Sequence, residues 1–105
     1  MEADSINLTP FDPAEYLTDA ESRAEYLTAA FETNDQVFIR RALGVVARAY
    51  GMSELADRTE FSRTSLYKAT GDDGNPALAT VAKLLDAMGL HLAVVPNDSR
   101  DAEPA

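Results

Sequence analysis

Apolar residues return every three or four positions through most of the middle of this chain, and polar or turn-forming clusters separate the runs. The segment Asp12-Pro13-Ala14-Glu15 reads as a helix start. Asp12 can cap, Pro13 suits the first helical position and Glu15 takes a capping-box place, but only one or two turns follow. A second start is expected at Thr18-Asp19-Ala20-Glu21. From it Ala20, Ala24, Leu27 and Phe31 recur at helical intervals to about Glu32, with Ala30 beside them, while the other face carries Glu21, Glu25, Thr28 and Glu32. A third helix is expected from Thr33 or Asn34. Its stripe of Ile39, Ala42, Leu43, Val46 and Tyr50 is widened by Phe38, Val45 and Ala49, so it should be central and well buried, with Gly51 as its stop.

Two short helices come next. Ser53 is the expected cap of the first, which ends near Thr59. Ser62 caps the second, and Phe61 and Leu66 are spaced as a hydrophobic staple. Gly71 ends it, and Asp72-Asp73-Gly74-Asn75-Pro76 reads as a surface loop. A fifth helix carries Leu78, Val81, Leu84, Leu85 and Met88 on one face and stops at Gly89. Leu90, Leu92 and Val94 then alternate with His91, Ala93 and Val95, which predicts a short strand. The expected organisation is a flexible lead over 1–11, one domain over 12–96 and a flexible tail over 97–105. Within the domain, 12–33 is an acidic helical extension and 34–96 a core holding the two-helix motif at 53–70. The segment Ala14-Glu15-Tyr16-Leu17-Thr18 recurs as Ala24-Glu25-Tyr26-Leu27-Thr28, too short a period for a solenoid.

Composition narrows the class. With 105 residues, 46% apolar and 26% charged, the chain suits one globular domain. It has no cysteine, which excludes disulfides, Cys-ligated zinc and thiol chemistry. No run is long enough to span a membrane. The acidic start has no apolar stretch behind it, so no signal peptide is expected and the cytoplasm is the expected compartment. Catalysis finds little support: His91 is the single histidine and sits in an apolar segment, and Asp72 and Asp73 lack the spacing of a calcium loop. Neither a metal, a cofactor nor a small-molecule substrate is expected.

The net charge of -9 speaks against nucleic acid until it is divided along the chain. Residues 1–35 carry -8, with Arg23 as their single base. Residues 36–71 carry +3 and residues 72–105 carry -4. The block with the basic excess contains the two short helices, whose three- or four-residue connection is that of a helix-turn-helix. In such a motif the second helix enters the major groove with its N-terminal residues toward the bases. Here Arg63 can grip guanine and Lys68 guanine or phosphate; Thr64 and Ser65 can serve base edges or phosphates; Ser62 suits a phosphate and Tyr67 the backbone or a thymine methyl. The plainer alternative is that Arg63 and Lys68 are solvated surface charges.

The stretch Leu55-Ala56, Phe61-Ser62-Arg63-Thr64-Ser65-Leu66-Tyr67-Lys68-Ala69, Gly74-Asn75-Pro76, Thr80-Val81, Leu84-Leu85 and Ala87-Met88-Gly89-Leu90 resembles the lambda-repressor-like, Cro-type helix-turn-helix domain. Upstream, Phe11-Asp12-Pro13-Ala14-Glu15-Tyr16-Leu17, Tyr26-Leu27, Ala42-Leu43 and Ala47-Arg48-Ala49-Tyr50-Gly51-Met52-Ser53 resembles the HigA-like addiction-module antidotes, over about residues 11–96 in all. The resemblance implies an all-α fold: a compact five-helix DNA-binding domain, with the N-terminal helical extension and the short C-terminal strand read above. Two residues depart from its pattern, Glu60 where many such turns have glycine and Met88 where a leucine is usual.

The resemblance also implies a type II antitoxin. It would neutralise a RelE/ParE-type, HigB-like toxin and, as a homodimer on operator DNA, repress its own operon through Ser62, Arg63, Thr64 and Lys68. A basic RNA-cleaving toxin would be drawn to the acidic block, so Glu21, Glu25 and Glu32, with Tyr16 and Tyr26 as apolar anchors, are the candidate toxin contacts. Leu90, Leu92 and Val94 are candidates for the dimer interface, by strand pairing. Two other readings stay open: a stand-alone phage-type repressor, and an interaction module that no longer binds DNA.

Overall fold

Asp12 folds its carboxylate back onto the amide of Ala14 at 3.1 Å and opens a 3-10 turn over Pro13–Tyr16. In the computed structural model, which describes residues 12–71 and 73–97, five helices follow: α1 Ala20–Glu32, α2 Gln36–Tyr50, α3 Met52–Thr59, α4 Arg63–Thr70 and α5 Leu78–Ala87. The expected flexible lead, and all of the expected tail but Asn97, lie outside the described residues.

Three helix starts differ by one to three residues from their expected places, each for a local reason. α1 is capped by Asp19, not Thr18: its carboxylate accepts the Ser22 amide at 2.8 Å, and Ser22 Oγ receives the Asp19 amide in return. A carboxylate is the stronger acceptor and the better partner for the positive end of a helix. α2 is capped by Asp35, which accepts the amides of Val37 and Phe38. Thr33 instead closes α1, its hydroxyl donating to the Ala30 carbonyl at 2.6 Å. α3 starts at Met52 without any side-chain cap. Gly51, at φ +119°, ends α2 and begins α3 at one residue, which leaves Ser53 inside the helix.

α2 is the central element, as its broad apolar arc predicts. Ala42, Leu43, Val46 and Ala47 are buried, and α1, α3, α4 and the 3-10 turn all pack on this helix, while α5 packs on α3. Leu55, Leu66 and Leu84 complete the middle of one core at 0–1% exposure. The stripes read from spacing run about a turn further than the burial does, since Phe31, Phe38 and Leu78 are exposed. The two copies of the five-residue repeat adopt different structures: the first, behind Pro13, is a 3-10 turn and a connection, and the second lies inside α1.

The expected C-terminal strand is absent among the described residues. Gly89, at φ +81°, donates to the Asp86 carbonyl at 3.0 Å, and Leu90 donates to the Leu85 carbonyl at 2.8 Å. These two bonds close α5 as a Schellman motif, with Leu90 packed against the core. The helix end therefore takes the residue that would have begun a strand. The chain beyond it has no strand to pair with among the described residues, and residues 91–97 stay exposed.

The acidic extension is fastened to the core by its single base. Arg23 Nη1 donates to the Leu17 carbonyl at 3.0 Å, and its guanidinium lies 5.5 Å from the centre of the Tyr50 ring at the end of α2. Arg58 of α3 lies 6.0 Å from the same ring. Arg48 reaches Asp12 at 3.2 Å, an exposed pair that adds little.

The Ser22 amide, then its hydroxyl and the Arg23 charge, hold the Asp19 carboxyl below its ordinary value. A depressed folded-state value contributes stability that is present above the unfolded value, about 3.9, and is lost as the pH falls through the folded one. Thermal unfolding from pH 5 to pH 2.5 should show a smaller acid loss in Asp19→Asn than in the wild type; identical profiles would refute this role.

Candidate nucleic-acid interface

Thr59 ends α3 and is the one buried polar residue among those described, at 1% exposure. Its hydroxyl donates to the Leu55 carbonyl at 2.8 Å and accepts the Phe61 amide at 3.2 Å, so it ties the turn to the helix behind it. Glu60 follows in the left-handed region at φ +66°, its amide donating to Ala56. Glycine takes this conformation without strain, and a glutamate does so at a cost. Ser62 then opens α4. Its Oγ accepts the Ser65 amide at 3.0 Å and donates to Ser65 Oγ at 2.9 Å. Phe61 and Leu66 flank this cap and pack against the same core, as a staple should.

α3 and α4 are thus two eight-residue helices joined by three residues. Burial of Leu66 turns Arg63, Thr64, Ser65, Tyr67 and Lys68 outward, and all five are exposed. Neither Arg63 nor Lys68 has an acidic partner among the described residues. Ser62 and Ser65 are engaged with each other, which leaves Arg63, Thr64, Tyr67 and Lys68 as the groups free to meet a ligand. The far end of α4 is anchored by Arg40, whose Nε donates to the Gly71 carbonyl at 2.9 Å. A cleft of about 420 Å³ runs beside α4, between Ser65, Lys68 and the loop through Asp73 and Asn75. Gly74 lets that loop close, since a Cβ there would land on the carbonyls of Lys68 and Ala69.

The acidic candidates lie elsewhere. Glu21, Glu25 and Glu32 are exposed on α1, at spacings that set them in one row with Thr28. Tyr16 is 64% exposed on the 3-10 turn, whereas Tyr26 packs half-buried against the core and does not join the row. Beside the row runs a second groove of about 440 Å³, formed by α1 and the extended segment from Leu90. Spacing along the sequence assigned Phe31 to the core, yet it lines this groove and is 41% exposed. Thr59 was also missed: a threonine four residues after Leu55 was its only signal. Among the described residues no group of three His, Asp or Glu is placed to hold a metal. No helix among them is long and apolar enough to cross a membrane.

A family model described as "Probable addiction module antidote protein" matches residues 7–96. The chain belongs to that family. A relative in Haemophilus influenzae, an uncharacterized protein, is 41% identical to this antidote-family chain over 87 residues, which is 83% of this chain and 90% of the relative. No solved structure matches it. Membership in an antidote family implies a toxin as partner in general.

Two substitutions probe the turn. Ser62→Ala should lower stability by about 1 kcal/mol in urea unfolding, because the Ser65 amide loses its acceptor. Glu60→Gly should raise it by up to about 1 kcal/mol by relieving the left-handed backbone. A neutral result for either would remove the cap or the strain assigned here.

Proposed function

We propose that this protein is the antitoxin of a type II toxin–antitoxin module. It binds and neutralises a RelE/ParE-type, HigB-like toxin, and as a homodimer in the cytoplasm it represses its own operon through helix-turn-helix binding of operator DNA. The observation that carries the DNA half is α4, where Arg63, Thr64, Tyr67 and Lys68 stand exposed, both cations without an ion pair among the described residues, in the one block of the chain with a basic excess. In this reading Arg63 reads guanine, Lys68 holds guanine or phosphate, and Ser62 and Ser65 shape the helix start that meets the backbone. The toxin half rests on family membership and on the row of Glu21, Glu25 and Glu32, whose charge suits a basic RNA-cleaving enzyme.

The two halves interact through charge. A chain of net charge -9 is repelled by DNA except where its bases face it, and a bound basic toxin offsets that repulsion. The test uses the DNA upstream of the gene and the small protein encoded beside it. In electrophoretic shifts at matched salt, Arg63→Ala should cost about 1–3 kcal/mol of specific binding, and the toxin complex should bind more tightly than the antitoxin alone. Reversing Glu21, Glu25 and Glu32 to Lys should weaken toxin binding and flatten its salt dependence. No shift would leave an antidote that does not bind DNA. Unchanged toxin affinity in the triple variant would remove the acidic row from the interface.

A further inference from the structure

The segment read from sequence as a dimerising strand and the acidic helix read as a toxin contact form one groove. α1 supplies one wall through Ala24, Thr28, Phe31 and Glu32, and the extended chain from Leu90 to Asn97 supplies the other. Thr28 and Glu32 belong to the row that also carries Glu21 and Glu25, so carboxylates run along the α1 rim. The opposite rim is apolar and open: Leu92 is 41% exposed, Val95 72% and Val94 99%. Among the described residues, the backbone of 91–97 makes no hydrogen bond. The groove thus combines an apolar floor of Leu27, Leu85 and Leu90, a negative rim and a row of free backbone donors and acceptors.

These three properties together select an occupant. An extended segment satisfies free strand-like backbone by pairing with it, while its side chains enter the adjoining pocket. A second copy of this chain is disfavoured, because in a twofold interface the same patch meets itself and the row of Glu21, Glu25 and Glu32 would approach its own image. We propose that this groove receives an extended segment of the toxin, with an apolar side chain seated beside Phe31 and Lys or Arg residues against the glutamate row. The proposal rests on the antidote reading and specifies the surface by which that partner is held.

The test titrates the full-length protein with the protein encoded by the adjoining gene, by calorimetry. The variants are Phe31→Glu and Val94→Glu, with Asp57→Asn, exposed on α3 and away from the groove, as a control. Val94 touches nothing that its loss could unfold. Each groove variant should weaken binding by about tenfold or more, and Asp57→Asn should leave it unchanged. Amide exchange at residues 91–97 should slow in the wild-type complex. Wild-type affinity in both groove variants would overturn the groove while leaving the antidote reading intact. No complex with the wild type would overturn that reading and the groove with it. If sedimentation shows that either variant converts a wild-type dimer to monomer, the occupant is a second copy and the proposal fails.

Discussion

Val46 and Ala47, at 0% exposure in the middle of α2, set the constraint on which the rest depends. A helix of 15 residues that is apolar over so wide an arc cannot be satisfied by one neighbour. It needs cover from several directions, and it draws this from both chain directions. α1 and the 3-10 turn come from upstream, α3 and α4 from downstream. Each of those elements is too short or too polar to stand alone, and each buries its apolar face by lying on α2, with α3 and α4 also packed on each other and α3 on α5. The outward faces follow by exclusion. Once Leu27 and Ala30 are turned inward, the glutamates of α1 must point away. Once Leu66 is turned inward, so must Arg63, Tyr67 and Lys68.

That exclusion is also how the charge becomes organised in space. The divided charge is visible as a list of residues, but a list does not say whether opposite charges will find and cancel one another. In the folded chain the free cations of α4 are not paired with the free carboxylates of α1. The ion pairs seen among the described residues, Arg48 with Asp12 and Arg58 with Glu54, use other residues. Both signs are thus left available to other molecules.

Most of the helical layout was legible because it rests on local signals: stripes at helical spacing, glycine stops, and Ser62 three residues ahead of the amide it caps. The α4 face was legible for the same reason, since one buried leucine fixes where its neighbours point. What was not legible depended on competition between near-equal local choices or on distant partners. Thr18 and Asp19 are adjacent cap candidates, and only the folded geometry lets the carboxylate win. Leu90 could begin a strand or finish a helix, and the two bonds that close α5, with no strand to pair with among the described residues, decide it. The groove beside α1 was invisible because its walls lie some sixty residues apart in sequence. The exposure of Phe31 depends on where both of them end.

Tyr50 stands at the junction of these parts. Its ring is touched by a guanidinium from α1 and another from α3, while Arg23 also grips the Leu17 carbonyl behind α1. Each contact is modest, about 0.5–1 kcal/mol for an exposed cation on a ring. Their common location matters more than their strength, because they tie α1 and α3 to the residue just before the glycine joint at Gly51. The acidic helix and the basic helix both pack on α2, so the molecule carries them as two arms of one bracket. Whatever docks on one arm inherits a fixed position and orientation relative to whatever docks on the other.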